Sequence, residues 1–104
     1  MCGILACICN DKDNCSNVLK PRQHYVDLSK MVRHRGPDWS GIYFDSSKNI
    51  AVCHERLSIV GIDSGSQPII NDELGIVLSV NGEIYNHKEL YEVVLHNKYI
   101  PKGE

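Results

Sequence analysis

Apolar residues fall along this chain in short blocks whose spacing changes from one block to the next. Residues 3–9 (Gly3-Ile4-Leu5-Ala6-Cys7-Ile8-Cys9) form an apolar run closed by the polar stretch 10–17. That pattern predicts a strand buried on both faces, followed by a loop. Over 21–33, Tyr25, Val26, Leu28, Met31 and Val32 recur at mixed three- and four-residue steps, which predicts an amphipathic helix stopping before Gly36-Pro37. Residues 41–44 and 50–55 read as two strands joined by Asp45-Ser46-Ser47-Lys48-Asn49. These linking residue types bond their own backbone in turns, so a hairpin is expected.

Residues 61–68 read as a loop, and the β-branched run 75–80 predicts a further inner strand. Asn86 then offers an N-cap, with Glu89 completing a capping box and Tyr85 with Leu90 forming a hydrophobic staple, at the start of a helix running to about Asn97. Leu90, Val93 and Val94 share one side of that helix and are expected to pack. Strand, helix, several strands and helix in this order point to an α+β or layered α/β domain.

A chain of 104 residues fits one small domain or part of a larger one. With 42% apolar and 23% charged residues, the composition is that of a folded protein and far from a disordered one. A formal charge of −2 provides no basic footprint, so neither nucleic acid nor an anionic membrane is an expected partner. No apolar run approaches the ~18–20 residues needed to span a bilayer. Asn10, Asp11 and Asp13 interrupt any signal-peptide pattern, so a cytoplasmic protein is expected. Five cysteines, Cys2, Cys7, Cys9, Cys15 and Cys53, are an odd number and argue against a disulfide framework. None shows the Cys-x-x-Cys spacing of a zinc site, and no metal is expected.

Four segments carry candidate chemistry. If Met1 is cleaved, Cys2 holds a thiol and a free α-amine on one residue. An α-amine titrates near ~7.7–8.0 and a thiol near ~8.5, so passing the proton from sulfur to nitrogen costs only about 1 kcal/mol. A terminal amine thereby serves as base for its own nucleophile. Asn81-Gly82 reads by itself as a two-residue hairpin turn. Alternatively, the Asn81 amide and the Gly82 N–H converge on a developing oxyanion, with Glu83 next along to hold a cationic group. Arg56 in His54-Glu55-Arg56-Leu57-Ser58-Ile59-Val60 has the planar fork that binds a carboxylate. His34-Arg35-Gly36-Pro37-Asp38-Trp39-Ser40-Gly41 combines a tight loop with basic and acidic side chains and the single tryptophan.

Together, Met1-Cys2-Gly3-Ile4, the 34–41 loop, the 54–60 segment and Val80-Asn81-Gly82-Glu83-Ile84-Tyr85-Asn86-His87 resemble the glutaminase domain of the asparagine synthetases, within the class II glutamine amidotransferases. The resemblance implies an N-terminal nucleophile hydrolase fold, with antiparallel sheets sandwiched between helices, of which residues 1–104 would be the N-terminal part. It implies L-glutamine as substrate: Cys2 attacks its side-chain amide and Asn81 with Gly82 stabilises the oxyanion. Arg56 would bind the substrate carboxylate and Glu83 its α-ammonium, while Leu57, Ser58, Ile59 and Val60 line the pocket. The ammonia would pass to a C-terminal synthetase domain that uses ATP and Mg²⁺ to convert aspartate to asparagine. No cofactor is expected within residues 1–104.

A further acidic substrate ligand is expected near or beyond Glu104. Without the rest of such a domain the chain would expose a sheet edge and apolar surface, which predicts self-association. Two alternatives stand beside this reading: an amidotransferase with another ammonia acceptor, such as a sugar phosphate or a phosphoribosyl donor, and a non-catalytic thiol-rich interaction module.

Overall fold

A computed structural model describes residues 1–9, 20–59, 65–96 and 98. The elements make an α+β arrangement. Strands β1 (Gly3–Ile8), β2 (Trp39–Asp45) and β3 (Ile50–Arg56) form an antiparallel sheet in the order β1-β3-β2. The expected hairpin is present and its strands run slightly further than predicted. Asp45 closes the turn, its carboxylate accepting from the Ser47 hydroxyl and from the backbone N–H groups of Ser47 and Lys48. These bonds, the Ser47 hydroxyl foremost, hold its pKa down at about 2. Asn49, in the left-handed region at φ 55°, returns the chain to β3, a conformation its short polar side chain tolerates.

Directly opposed residues of antiparallel strands share a face. Leu5 opposes Cys53, which opposes Ile42, and Cys7 opposes Ala51, which opposes Phe44. Helix α1 (Arg22–Lys30) covers this face with Tyr25 and Ser29. The core therefore consists of Tyr25, Ala51 and Cys53, flanked by Leu5, Cys7, Cys9, Ile42 and Phe44. The predicted helix over 21–33 is thus shorter, and a separate 3-10 turn (Arg33–Arg35) follows it. On the same face Glu55, 2% exposed, receives the Ser29 hydroxyl at 2.7 Å and the Ser40 hydroxyl on its other oxygen. Burial of this carboxylate is tolerated because both oxygens have donors.

The reading of β1 as buried on both faces is corrected. Ile4, Ala6 and Ile8 point away from α1 and are exposed; among the described residues the contacts on that second face fall on β3 and β2, at His54 and Gly41. The segment making these contacts, residues 67–79, contains a two-stranded antiparallel sheet, β4 (Ile69–Asn71) and β5 (Ile76–Leu78). A Cβ on Gly41 would overlap the Gln67 carbonyl, which fixes how closely this segment approaches. The expected inner strand over 75–80 is therefore only three residues long, with β4 as its partner and Ile76 and Leu78 exposed.

Helix α2 (His87–Val93) begins where the sequence predicted, after Asn86. The capping box and staple are not formed: Asn86 makes no side-chain cap bond, and Tyr85 is 87% exposed. Leu90, Val93 and Val94 are exposed rather than packed, since no other described element lies against them. The predicted helix end at Asn97, the loop at 10–17 and part of that at 61–68 lie outside the described residues.

Candidate active site

The end of β3 and the loop after α1 organise the N-terminus. Gly36 is buried against β3, where a Cβ would overlap the Glu55 carbonyl. Two residues on, the Asp38 N–H donates to the Arg56 carbonyl at 3.0 Å, and the Asp38 carboxylate accepts the Ser58 N–H at 2.8 Å. The loop 36–38 thereby clamps the chain as it leaves the sheet and directs residues 57–59.

Cys2 sits beside that exit. Its Sγ receives the Leu57 N–H at 3.4 Å and lies 3.9 Å from the Leu57 carbonyl oxygen. Its carbonyl accepts from Arg35 Nε at 3.4 Å. Its backbone N–H donates to Asn81 Oδ1 at 3.2 Å. This nitrogen is the peptide nitrogen of the Met1–Cys2 bond; once Met1 is removed, the same atom is an α-amine. Met1 is 72% exposed. With Oδ1 turned to Cys2, the Asn81 amide retains Nδ2 as donor.

Asn81 does not make the hairpin that its dipeptide suggests: residues 79–84 have neither strand nor turn, and helix α2 follows. The segment is anchored by the Val80 N–H to Gln67 Oε1 at 2.8 Å and by Ser79 Oγ against His54 Nδ1 at 2.6 Å. Gly82 and Glu83 are exposed, and a Cβ at Gly82 would meet only Val80 at 4.0 Å, so no close approach there demands glycine. Arg56 closes β3 half-buried, and a side chain at Gly65 would lie 3.4 Å from its guanidinium. Ile59 is 77% exposed, and Val60 lies outside the described residues. Of the residues singled out from sequence, the structure thus joins Cys2, Leu57 and Asn81 by direct bonds. Ser58 is held through Asp38, while Gly82 and Glu83 make no hydrogen bond to Cys2.

Sequence reasoning did not single out Gln67 or Ser79 as parts of this arrangement, and it gave His54, inside the marked 54–60 segment, no role. Their contacts join residues 13 to 25 positions apart, and no local spacing reveals such pairs. Arg35 and Asp38 lay within a segment marked as candidate chemistry without assigned roles. Among the described residues no three His, Cys, Asp or Glu side chains gather as a metal site. No helix among them is long and apolar enough to cross a membrane.

The geometry gathers the cysteine at position 2, a side-chain amide and a strand end. Residues 1–101 match the model of the glutamine amidotransferase domain. An asparagine synthetase [glutamine-hydrolyzing] of Brassica oleracea is 46% identical over 100 residues, covering 95% of this chain and 16% of that protein. A probable asparagine synthetase [glutamine-hydrolyzing] of Dictyostelium discoideum is 51% identical over 92 residues, covering 88% and 15%. Asparagine synthetase B [glutamine-hydrolyzing] of Escherichia coli (strain K12) is 51% identical over 75 residues, covering 72% and 13%. The chain therefore spans about a sixth or less of these relatives' length. No solved structure matches it. With the family model matching nearly end to end, from the cysteine at its start to beyond α2, the chain belongs to the glutamine amidotransferase domain family.

Proposed function

We propose that this chain is the N-terminal part of a glutaminase domain with the N-terminal nucleophile hydrolase fold, which releases ammonia from L-glutamine for asparagine synthesis by a further domain. The observation that carries the proposal is the convergence of Asn81 and Leu57 on Cys2, from positions 79 and 55 residues away. After Met1 is removed, the Cys2 α-amine takes the thiol proton. The thiolate adds to the glutamine side-chain carbonyl carbon, and its oxygen becomes an oxyanion facing Asn81 Nδ2 and the Gly82 N–H. Collapse breaks the C–N bond, ammonia leaves with the proton held by the amine, and a thioester remains. Water then hydrolyses the thioester to glutamate and restores the thiol.

The Leu57 N–H, already directed at Sγ, stabilises the anionic sulfur by a charge-assisted bond. Arg56 would hold the substrate carboxylate and Glu83 its ammonium, with residues 57–60 as the pocket wall. ATP and Mg²⁺ would belong to the further domain, as would the acceptor aspartate; the names of the relatives favour that acceptor over a sugar phosphate or a phosphoribosyl donor. In the full-length protein, Cys2→Ala should abolish glutamine hydrolysis while ammonia-dependent asparagine formation continues. Undiminished release of glutamate by that variant would refute the proposal.

A further inference from the structure

We infer that His54 is a positioning residue for the amide cradle, holding residues 79–82 in place through its hydrogen bond to Ser79. The inference rests on the amidotransferase reading and deepens it. His54 is on β3, the central strand, paired with Ile4 on one side and Gly41 on the other, so the root of its side chain is fixed by two ladders. Its imidazole is fully buried on the face opposite α1. Nδ1 lies 2.6 Å from Ser79 Oγ, and Ser79 stands two residues before Asn81. Residues 79–82 belong to no strand. Among the described residues they are tied to the rest by the Ser79–His54, Val80–Gln67 and Asn81–Cys2 bonds.

Packing alone does not account for a histidine here. Nε2 is buried with no partner among the described residues, and an unsatisfied polar atom in an interior is a net cost that an aliphatic residue would avoid. Among the described residues the imidazole has one hydrogen bond, and that bond leads to the cradle. Burial, aided by the Arg56 charge and opposed by Glu55, lowers the pKa of the ring below its ordinary value. Release of Ser79 would free the segment that sets the 3.2 Å approach of Asn81 to Cys2.

The test uses Ser79→Ala, which removes one oxygen, with His54→Ala and His54→Asn, whose amide can replace the Nδ1 contact. Each is made in the full-length protein and checked for an unchanged unfolding transition. Misplacement of a catalytic group by about 1 Å costs up to about 100-fold in rate. The expected result is a kcat for glutamine hydrolysis lowered about 10- to 100-fold in Ser79→Ala and His54→Ala, with KM changed less than about twofold and substantial recovery in His54→Asn. The double Ala variant should be no slower than the worse single one. A kcat within about twofold of wild type in Ser79→Ala, or a loss confined to KM, overturns the inference while leaving the amidotransferase reading intact. A wild-type protein that does not hydrolyse glutamine removes that reading, and the inference with it.

Discussion

The two halves of the described chain are held together in different ways. In the first, β1, β3 and β2 form a continuous ladder, α1 seals one face, and even the buried carboxyl group of Glu55 has two hydroxyl donors. In the second, β4 and β5 make a short pair, and α2 presents Leu90, Val93 and Val94 to solvent. A seven-residue helix is marginal without packing. Yet this loosely covered half supplies Asn81, one of the two residues on which the proposed chemistry turns. The contrast separates what makes the domain stable from what makes it act. The sheet and α1 anchor Cys2 and Leu57, and a few directed polar bonds bring the amide to them.

The contrast is broken or sharpened first by stability. Tyr25→Ala removes a core ring that packs 6.1 Å from Phe44 and accepts the Lys20 N–H, and should cost about 3–5 kcal/mol by denaturant unfolding. Leu90→Ala, at a residue 38% exposed, should cost only about 0.5 kcal/mol. A Leu90 cost above about 2 kcal/mol would show that α2 is covered in the protein tested, and would erase the distinction.

Asn81→Ala should produce the opposite profile: turnover of glutamine lowered by about two to three orders of magnitude, with the unfolding midpoint unchanged. A loss smaller than about tenfold would mean that Asn81 makes no oxyanion contact.

A more graded effect is the response to pH. Because burial lowers the His54 pKa in the folded state, below ~6.5 the unfolded chain binds a proton that the folded one does not. The stability from this residue is full above ~6.5 and is lost as the pH falls towards the folded-state value. Urea midpoints measured between about pH 7 and about pH 5.5 should fall less steeply in His54→Gln than in wild type, the difference not exceeding about 1.4 kcal/mol per pH unit. Equal slopes would assign the acid sensitivity to other groups.

Local patterns foretold the first half better than the second. The β2–β3 hairpin and the start of α2 were legible because alternation and turn residues act over a few positions. Burial of β1 on both faces was misread, because its apolar residues report what could be covered and not what covers it. For the same reason 75–80 promised an inner strand and 90–94 a packed face. Of the candidate site, Cys2, Asn81 and the 54–60 segment were marked from their residue types, and Cys2, Leu57 and Asn81 meet in the structure. The supports were less legible: His54 and Asp38 lay within marked segments but had no assigned role, and Ser79 and Gln67 were not marked at all, since each works through a partner 13 to 25 residues away.

The most direct test combines a glutamine analogue bearing an electrophile with peptide mass analysis of the full-length protein. The account predicts one label, on Cys2, in a peptide that lacks Met1 and whose labelling glutamine suppresses. A label on Cys7, Cys9, Cys15 or Cys53 in preference to Cys2, or efficient labelling of Cys2 with Met1 still attached, would contradict it.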